Sequence, residues 1–185
     1  MIEKNQTLVI PGFTCWLTGL SGAGKSTIAT ELSNKLNIFS VPCEVLDGDI
    51  IRKNLSTDLG FSRKDRETNV LRVGYICSLL NKHGINTIVA LISPFNATRN
   101  KLRQSLEKFI EIYVDCPLEE CKKRDPKGLY QRALSGEILE FTGISSPYEA
   151  PLSPEITLKT NEEDVNQSVG KILQYLLKLK LIHIN

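Results

Sequence analysis

A chain of 185 residues that is 41% hydrophobic and 24% charged has the size and make-up of one soluble domain, residues 1–185, with a proper core. These proportions exclude a disordered tail, a collagenous repeat and a disulfide miniprotein. Twenty-three Lys plus Arg against 21 Asp plus Glu give a net charge of +2, which excludes the broad positive field of a nucleic-acid or membrane-surface binder and makes any anion site a local one.

Thr14 to Thr18 is a short β-rich apolar run that stops at Gly19, and a helix-compatible stretch from Lys25 to Leu36 follows. Cys43 to Leu46 reads as a second strand, Asp49 to Leu55 as a short helix, and Arg66 to Asn81 as a longer helix closed by His83-Gly84. Ile85 to Ser93 reads as a buried strand ending at Pro94, Asn96 to Lys108 as a helix and Phe109 to Val114 as a fourth strand; Pro117 then starts another helix, where proline is tolerated best. From Asp125 to Pro154 the pattern breaks into a polar segment rich in Gly and Pro, longer than the usual connection of about 4–6 residues, which favours a functional lid. Ile156 to Leu158 reads as the last strand, and Glu162 to Leu181 as an amphipathic helix that docks through Val165, Val169, Ile172 and Leu176. Strands alternating with helices imply an α/β fold, a mostly parallel sheet covered on both faces that binds ligands at the C-terminal ends of its strands.

Apolar runs such as Ile88 to Ile92 fall far short of the roughly 18–20 residues needed to span a bilayer, so no membrane association is expected. Met1 to Gln6 lacks the apolar core of a secretory signal, which points to a cytoplasmic address. Cys15, Cys43, Cys77, Cys116 and Cys121 form no C-x-x-C pair and read as reduced thiols, most of them small core hydrophobes. His83 and His183 have no cysteine or carboxylate at ligand spacing, which argues against structural zinc.

Gly19-Leu20-Ser21-Gly22-Ala23-Gly24-Lys25-Ser26 matches G-x-x-x-x-G-K-[ST] in full, between a predicted strand and a predicted helix. Its glycines let the backbone turn tightly and aim N–H groups at an anion, and the helix N-terminus adds partial positive charge. Lys25 would bridge the β- and γ-phosphates of a nucleoside triphosphate, and the Ser26 hydroxyl would ligate Mg²⁺. At this size, with no long insertion to track a polymer, a small-molecule kinase outranks a translocase or a switch.

On the acceptor side, Asp47-Gly48-Asp49 follows the second strand, so both carboxylates should reach the C-terminal edge of the sheet. One of the two is a candidate base for the acceptor hydroxyl, the alternative being that Asp49 only N-caps the next helix. Arg66, Asn69 and Arg72 are spaced by three, broadly along one helix face, and with Arg52 they form either an anion site or a solvated charged face. Phe61 and Phe141 are aromatic residues in polar loop surroundings, able to stack on a base or to anchor their loops.

Together these pieces resemble the adenylylsulfate kinase family, whose members use ATP to phosphorylate adenosine 5′-phosphosulfate (APS) on its 3′-hydroxyl. The match runs from Gly19–Thr27 through Leu46-Asp47-Gly48-Asp49 with Arg52, and Asp58-Leu59-Gly60-Phe61-Ser62 with Asp65, Arg66 and Asn69. It continues through Ile92-Ser93-Pro94, Arg124-Asp125-Pro126-Lys127-Gly128-Leu129-Tyr130, Gly136-Glu137-Ile138 and Phe141-Thr142-Gly143-Ile144 to Pro147–Pro151. The resemblance implies a P-loop kinase fold with a mobile lid at approximately 124–152, Mg²⁺-ATP as phosphate donor, 3′-phosphoadenylyl sulfate as product in sulfate activation, and a homodimer.

It also implies roles. Gly19, Leu20, Ser21, Gly22, Ala23, Gly24, Lys25, Ser26 and Thr27 would bind ATP, with Arg124 as a lid contact. Asp49 would position or deprotonate the 3′-hydroxyl, Arg52, Arg66 and Asn69 would hold the phosphosulfate and ribose, and Phe61 and Phe141 would clamp the APS adenine. Lys127 would lie near the transferring phosphate, and Ile92 with Ser93 would border the acceptor. Ser93 stands where the family is marked with a phosphoserine intermediate, and hydrogen bonding to substrate or Mg²⁺ is the rival role. Leu71 departs from the family, which often has a second arginine before Arg72. The first strand lies near the start of the chain and the last helix near its end, which implies a standalone kinase. A kinase for a nucleoside monophosphate or a sugar acid is the alternative among enzymes, and a non-catalytic nucleotide-binding regulator is the alternative outside them.

Overall fold

Trp16 and Val89 face one side of the sheet while their neighbours Cys15, Leu17, Ile88 and Ala90 face the other, and all six are buried. Such two-sided burial needs helices on both faces. The computed structural model describes residues 10–183, so the reading of Met1 to Gln6 lies outside the described residues. The strands are β1 (Thr14–Thr18), β2 (Cys43–Asp47), β3 (Asn86–Ala90), β4 (Phe109–Asp115) and β5 (Ile156–Lys159). They form one sheet in the order β2-β3-β1-β4-β5, parallel throughout, with Trp16 in register with Val89 on one side and Glu111 on the other. The helices are α1 (Lys25–Ile38), α2 (Gly48–Asn54), α3 (Arg63–Lys82), α4 (Asn96–Ser105), α5 (Leu118–Arg124), α6 (Leu129–Leu134) and α7 (Val165–Lys178). Helices α1 and α7 pack together over one core, and α3 and α4 over the other.

The structure differs from expectation at several element ends, the third strand stopping at Ala90 and not Ser93, and in one added helix. Helix α3 starts at Arg63 instead of Arg66 because the Ser62 hydroxyl accepts from the Asp65 N–H and donates to the Asp65 carboxylate. A capping box between Asp164 and Gln167 starts α7 at Val165, not Glu162. Asp49 does not cap α2: Asp47 is the N-cap, accepting from the Asp49 N–H at 2.9 Å. The polar segment after Asp125 contains α6, which the broken pattern did not reveal.

Candidate active site

The loop at residues 19–24 carries the chain from β1, the central strand, into α1. A Cβ added at Gly19 would lie 2.5 Å from the Val114 carbonyl oxygen, so only glycine fits the turn away from β4. Gly24 holds the N-cap of α1 at φ 104°, and α1 has neither a side-chain cap nor an acid in its first turn. The N–H groups and the positive end of the helix dipole are therefore left for an outside anion.

Lys25 is buried and donates to the carbonyls of Gly19 at 2.9 Å and Leu20 at 2.7 Å. Burial pushes its pKa down to about 8, with the nearby Lys127 charge adding to the fall. The Ser26 hydroxyl donates to Asp47 Oδ2 at 2.6 Å. This pair of hard oxygen donors beside the loop suits Mg²⁺, which takes a few carboxylate or hydroxyl ligands and completes its shell with phosphate and water. The sequence places the Asp47 carboxylate at this edge of the sheet but gives it no metal role, which comes only from its bond to Ser26. Ser21 and Ala23 are held through their carbonyls, by the Tyr130 hydroxyl at 2.9 Å and the Thr160 hydroxyl at 2.8 Å. Thr27 lines an open cleft of about 680 Å³ with Ser26, Thr30, Glu31, Val165 and Asn166. Arg124 donates to the Thr160 carbonyl at 2.6 Å, which sets it across the loop's far side.

Asp49 is exposed at the start of α2 and forms an ion pair with Lys127 from the polar segment after α5. Two residues 78 apart in sequence, both singled out beforehand, thus meet next to the phosphate loop. Arg52 donates to the Gly60 carbonyl at 2.9 Å and lies 4.4 Å from the centre of the Phe61 ring. Arg66 is buried, and donates to the carbonyls of Phe61 and Glu140 and, at 2.8 Å, to the Thr142 hydroxyl. Burial lowers the pKa of both arginines below the usual guanidinium range, and the Arg52 charge adds to the fall at Arg66. An anion between them would reverse that strain. Asn69 is buried with its Oδ1 lacking a partner among the described residues.

Arg72 does not join this group. It makes a two-pronged ion pair with Asp58 at 2.6 and 2.7 Å and donates to the Leu55 carbonyl, so it braces the loop between α2 and α3. The two aromatics also differ. Phe61 is 54% exposed, whereas Phe141 is 8% exposed and sits edge-on to Tyr130 at 5.0 Å between ring centres. Ile92, half-buried, gives its carbonyl to the Thr18 hydroxyl at 2.6 Å. Ser93 is buried at φ 46°, and its hydroxyl accepts from the Trp16 indole N–H at 3.0 Å.

An uncapped phosphate loop at the C-terminal edge of a parallel five-stranded sheet, facing the Asp49–Lys127 pair, defines a P-loop kinase fold. The family model described as adenylylsulphate kinase matches residues 11–159. The chain belongs to the adenylylsulphate kinase family. It is 51% identical over 168 residues to the adenylyl-sulfate kinase of Gloeothece citriformis, covering 91% of this chain and 96% of that one. The structure of the Mycobacterium tuberculosis APS kinase CysC in complex with AMPPNP and APS superposes with a TM-score of 0.86 at 39% identity, covering 90% and 98% of the two chains. A hexameric APS kinase from Thiobacillus denitrificans gives a TM-score of 0.72 at 31% identity, over 96% of this chain and 31% of that one. Among the described residues no helix is long and apolar enough to cross a membrane.

Proposed function

We propose that this chain transfers the γ-phosphoryl group of ATP to the 3′-hydroxyl of APS, forming 3′-phosphoadenylyl sulfate and ADP. The observation that carries the reading is the Lys127–Asp49 ion pair beside the phosphate loop, which brings the lid, the acceptor carboxylate and the donor site to one point. The loop N–H groups and Lys25 bind the β- and γ-phosphates, Lys25 exchanging the Gly19 and Leu20 carbonyls for phosphate oxygens. Ser26 and Asp47 would hold Mg²⁺, which supplies charge neutralisation at the phosphate oxygens when bound. Asp49 orients the acceptor hydroxyl and takes its proton as the bond to phosphorus forms. Lys127 and Arg124 reach the phosphates from the lid, at approximately 124–152 of a single domain. Arg52, Arg66 and the open Asn69 amide oxygen hold the phosphosulfate and ribose, next to Ile92. Phe61 offers a ring face to the adenine, and Phe141 supports the opposite wall through Tyr130.

Transfer is direct in this reading. Ser93 Oγ is buried against an indole and, among the described residues, has no carboxylate or imidazole bonded to it to activate it, so it serves as a bracket and not as a phosphate carrier. We also place the enzyme in the cytoplasm as a homodimer. Five free cysteines suit a reducing compartment. Leu71, Tyr75 and Leu79 form an exposed ridge on α3 with a spacing of four, which is self-complementary about Tyr75 when two copies pack by a two-fold axis.

The test is a product assay with purified protein, Mg²⁺-ATP and either APS or other acceptors, resolving 3′-phosphoadenylyl sulfate by chromatography. Phosphorylation of APS alone is expected. Phosphorylation of a nucleoside monophosphate or a sugar acid in its place would overturn the acceptor assignment, and ATP binding without transfer would make the chain a nucleotide-binding regulator.

A further inference from the structure

Arg99 on α4 is 1% exposed, yet it belongs to none of the groups that bind substrate in the reading above. Its Nε donates to Glu111 on β4 at 2.7 Å. One terminal nitrogen donates to the Ser93 carbonyl, and the other donates both to Asn96 Oδ1 and to the Glu149 carbonyl, the latter at 2.6 Å. One guanidinium therefore joins three parts of the chain: the end of the β3 segment, the middle of β4 and the limb by which the lid segment returns to the sheet. A planar fork with five fixed donors can do this, and an ammonium cannot.

Further contacts fasten the same limb. The Glu149 N–H donates to the Pro94 carbonyl at 2.8 Å, and its carboxylate accepts from the Asn96 N–H at 2.7 Å, capping α4. The Tyr148 hydroxyl bonds to Thr18, the residue before the phosphate loop, at 3.0 Å, and its ring lies near the Arg99 guanidinium and stacks on Tyr113. Glu155 accepts from the Glu111 N–H at 2.7 Å and pairs with Arg103. Ahead of Tyr148 the ties go elsewhere: buried Arg66 on α3 holds the Glu140 carbonyl and the Thr142 hydroxyl, the Tyr130 hydroxyl holds the Ser21 carbonyl, and Lys127 and Arg132 make exposed ion pairs.

We infer that Arg99 is a positioning residue that rivets the return limb of the proposed lid, residues 148–155, to the end of the β3 segment and to β4, so that this limb keeps a fixed geometry while the exposed residues around Lys127 close over bound substrate. The inference rests on the kinase reading for its kinetic consequence but not for its structural one. Because the same guanidinium holds the Ser93 carbonyl, the anchored limb and the acceptor-side strand end move as one body, which keeps the closed lid in register with the phosphate loop.

Arg99→Lys tests this, since it preserves the charge opposite Glu111 while removing the fork. Hydrogen exchange at the Glu149 amide is expected to quicken at least tenfold, and kcat to fall about tenfold with KM for ATP held within about twofold, as expected for a misplaced catalytic assembly. Wild-type exchange at Glu149, or wild-type kcat, in the folded variant would overturn the inference. Should Arg99→Lys not fold, Arg99→Met combined with Glu111→Met removes both buried charges together and is judged by the same two readouts. The exchange measurement needs no turnover, so wild-type protein that fails to phosphorylate APS would defeat the proposed function and leave the anchoring result standing.

Discussion

Comparing Ser93→Gly with Ser93→Ala separates a phosphate-carrying hydroxyl from a structural bracket. Both variants delete Oγ, and both leave the buried Trp16 N–H without its acceptor, a loss of about 1–3 kcal/mol in stability. They differ in backbone. At φ 46° a residue with a Cβ is strained by about 1–2 kcal/mol, which glycine escapes. Glycine's greater freedom in the unfolded chain returns about 0.4–1 kcal/mol of that gain. Ser93→Gly should therefore be the more stable of the two by about 0.5–1 kcal/mol, on the order of 2 °C in Tm for a chain of this size. Under direct transfer both variants keep turnover within about tenfold of wild type, because the assembly is perturbed but no reacting atom is lost. Under a serine relay both lose it by a factor on the order of 10⁶, the usual consequence of deleting a nucleophile. Steady-state ADP release, together with acid quenching after brief exposure to γ-labelled ATP, reads both outcomes. Label on Ser93 appearing at the catalytic rate, with both variants inert, would refute the bracket assignment.

Lys25 makes ATP binding pH-dependent. Burial holds its folded pKa at about 8 against an ordinary 10.5, so the ligand-free chain holds fewer protons than the unfolded chain between those values and gains stability on that account as pH rises through them. Phosphate requires the charged form, so ATP affinity should fall as pH rises above about 8, and binding at pH 8.5 should take up a proton; calorimetry in two buffers of different ionisation enthalpy that detects no uptake would contradict this. Phe61→Ala should weaken APS binding by about 1–3 kcal/mol with ATP binding and Tm unchanged, since the ring is 54% exposed and free to stack; equal weakening of both ligands would remove it from the acceptor site. If the chain forms the proposed homodimer through α3, Tyr75→Glu should yield a monomer in light scattering, and an unchanged dimer mass would take α3 out of the interface.

What was legible in the sequence was whatever is encoded locally. The phosphate loop is contiguous, its glycines are set by backbone geometry at the loop itself, and its place between β1 and α1 follows from one change of hydrophobic period. Asp49 was singled out from its place after the second strand and Lys127 through the family resemblance, but neither through their contact, because nothing in a linear pattern places two residues 78 apart beside each other. Arg72 shows the opposite error: its spacing from Arg66 and Asn69 suggested a shared anion, but α3 turns enough over six residues to bring it to Asp58. Arg99 gave no signal at all, since an arginine in a polar helix looks solvated until the lid limb covers it. Phe141 looked like a loop aromatic for the same reason, its burial coming from Tyr130 on α6, a helix hidden inside the broken pattern.

The charges of the site explain how so much cationic equipment is held in a folded chain without its ligands. Lys25 rests on the Gly19 and Leu20 carbonyls, Arg124 on Thr160, Lys127 on Asp49, and Arg66 on the Phe61 and Glu140 carbonyls. In the proposed function each of these partners is exchanged for a substrate oxygen. Binding is then an exchange of partners, so its net free energy is far smaller than the sum of the new charge-assisted bonds. The exchange also selects. A ligand that supplies oxygens to Lys25 but not to Lys127 leaves Asp49 engaged by the lysine, whereas one that satisfies both frees the carboxylate to accept the hydroxyl proton. Under the proposed function the Lys127–Asp49 ion pair also sets an order: Asp49 takes the hydroxyl proton only once a phosphate draws Lys127 away, so chemistry waits for a correctly seated donor.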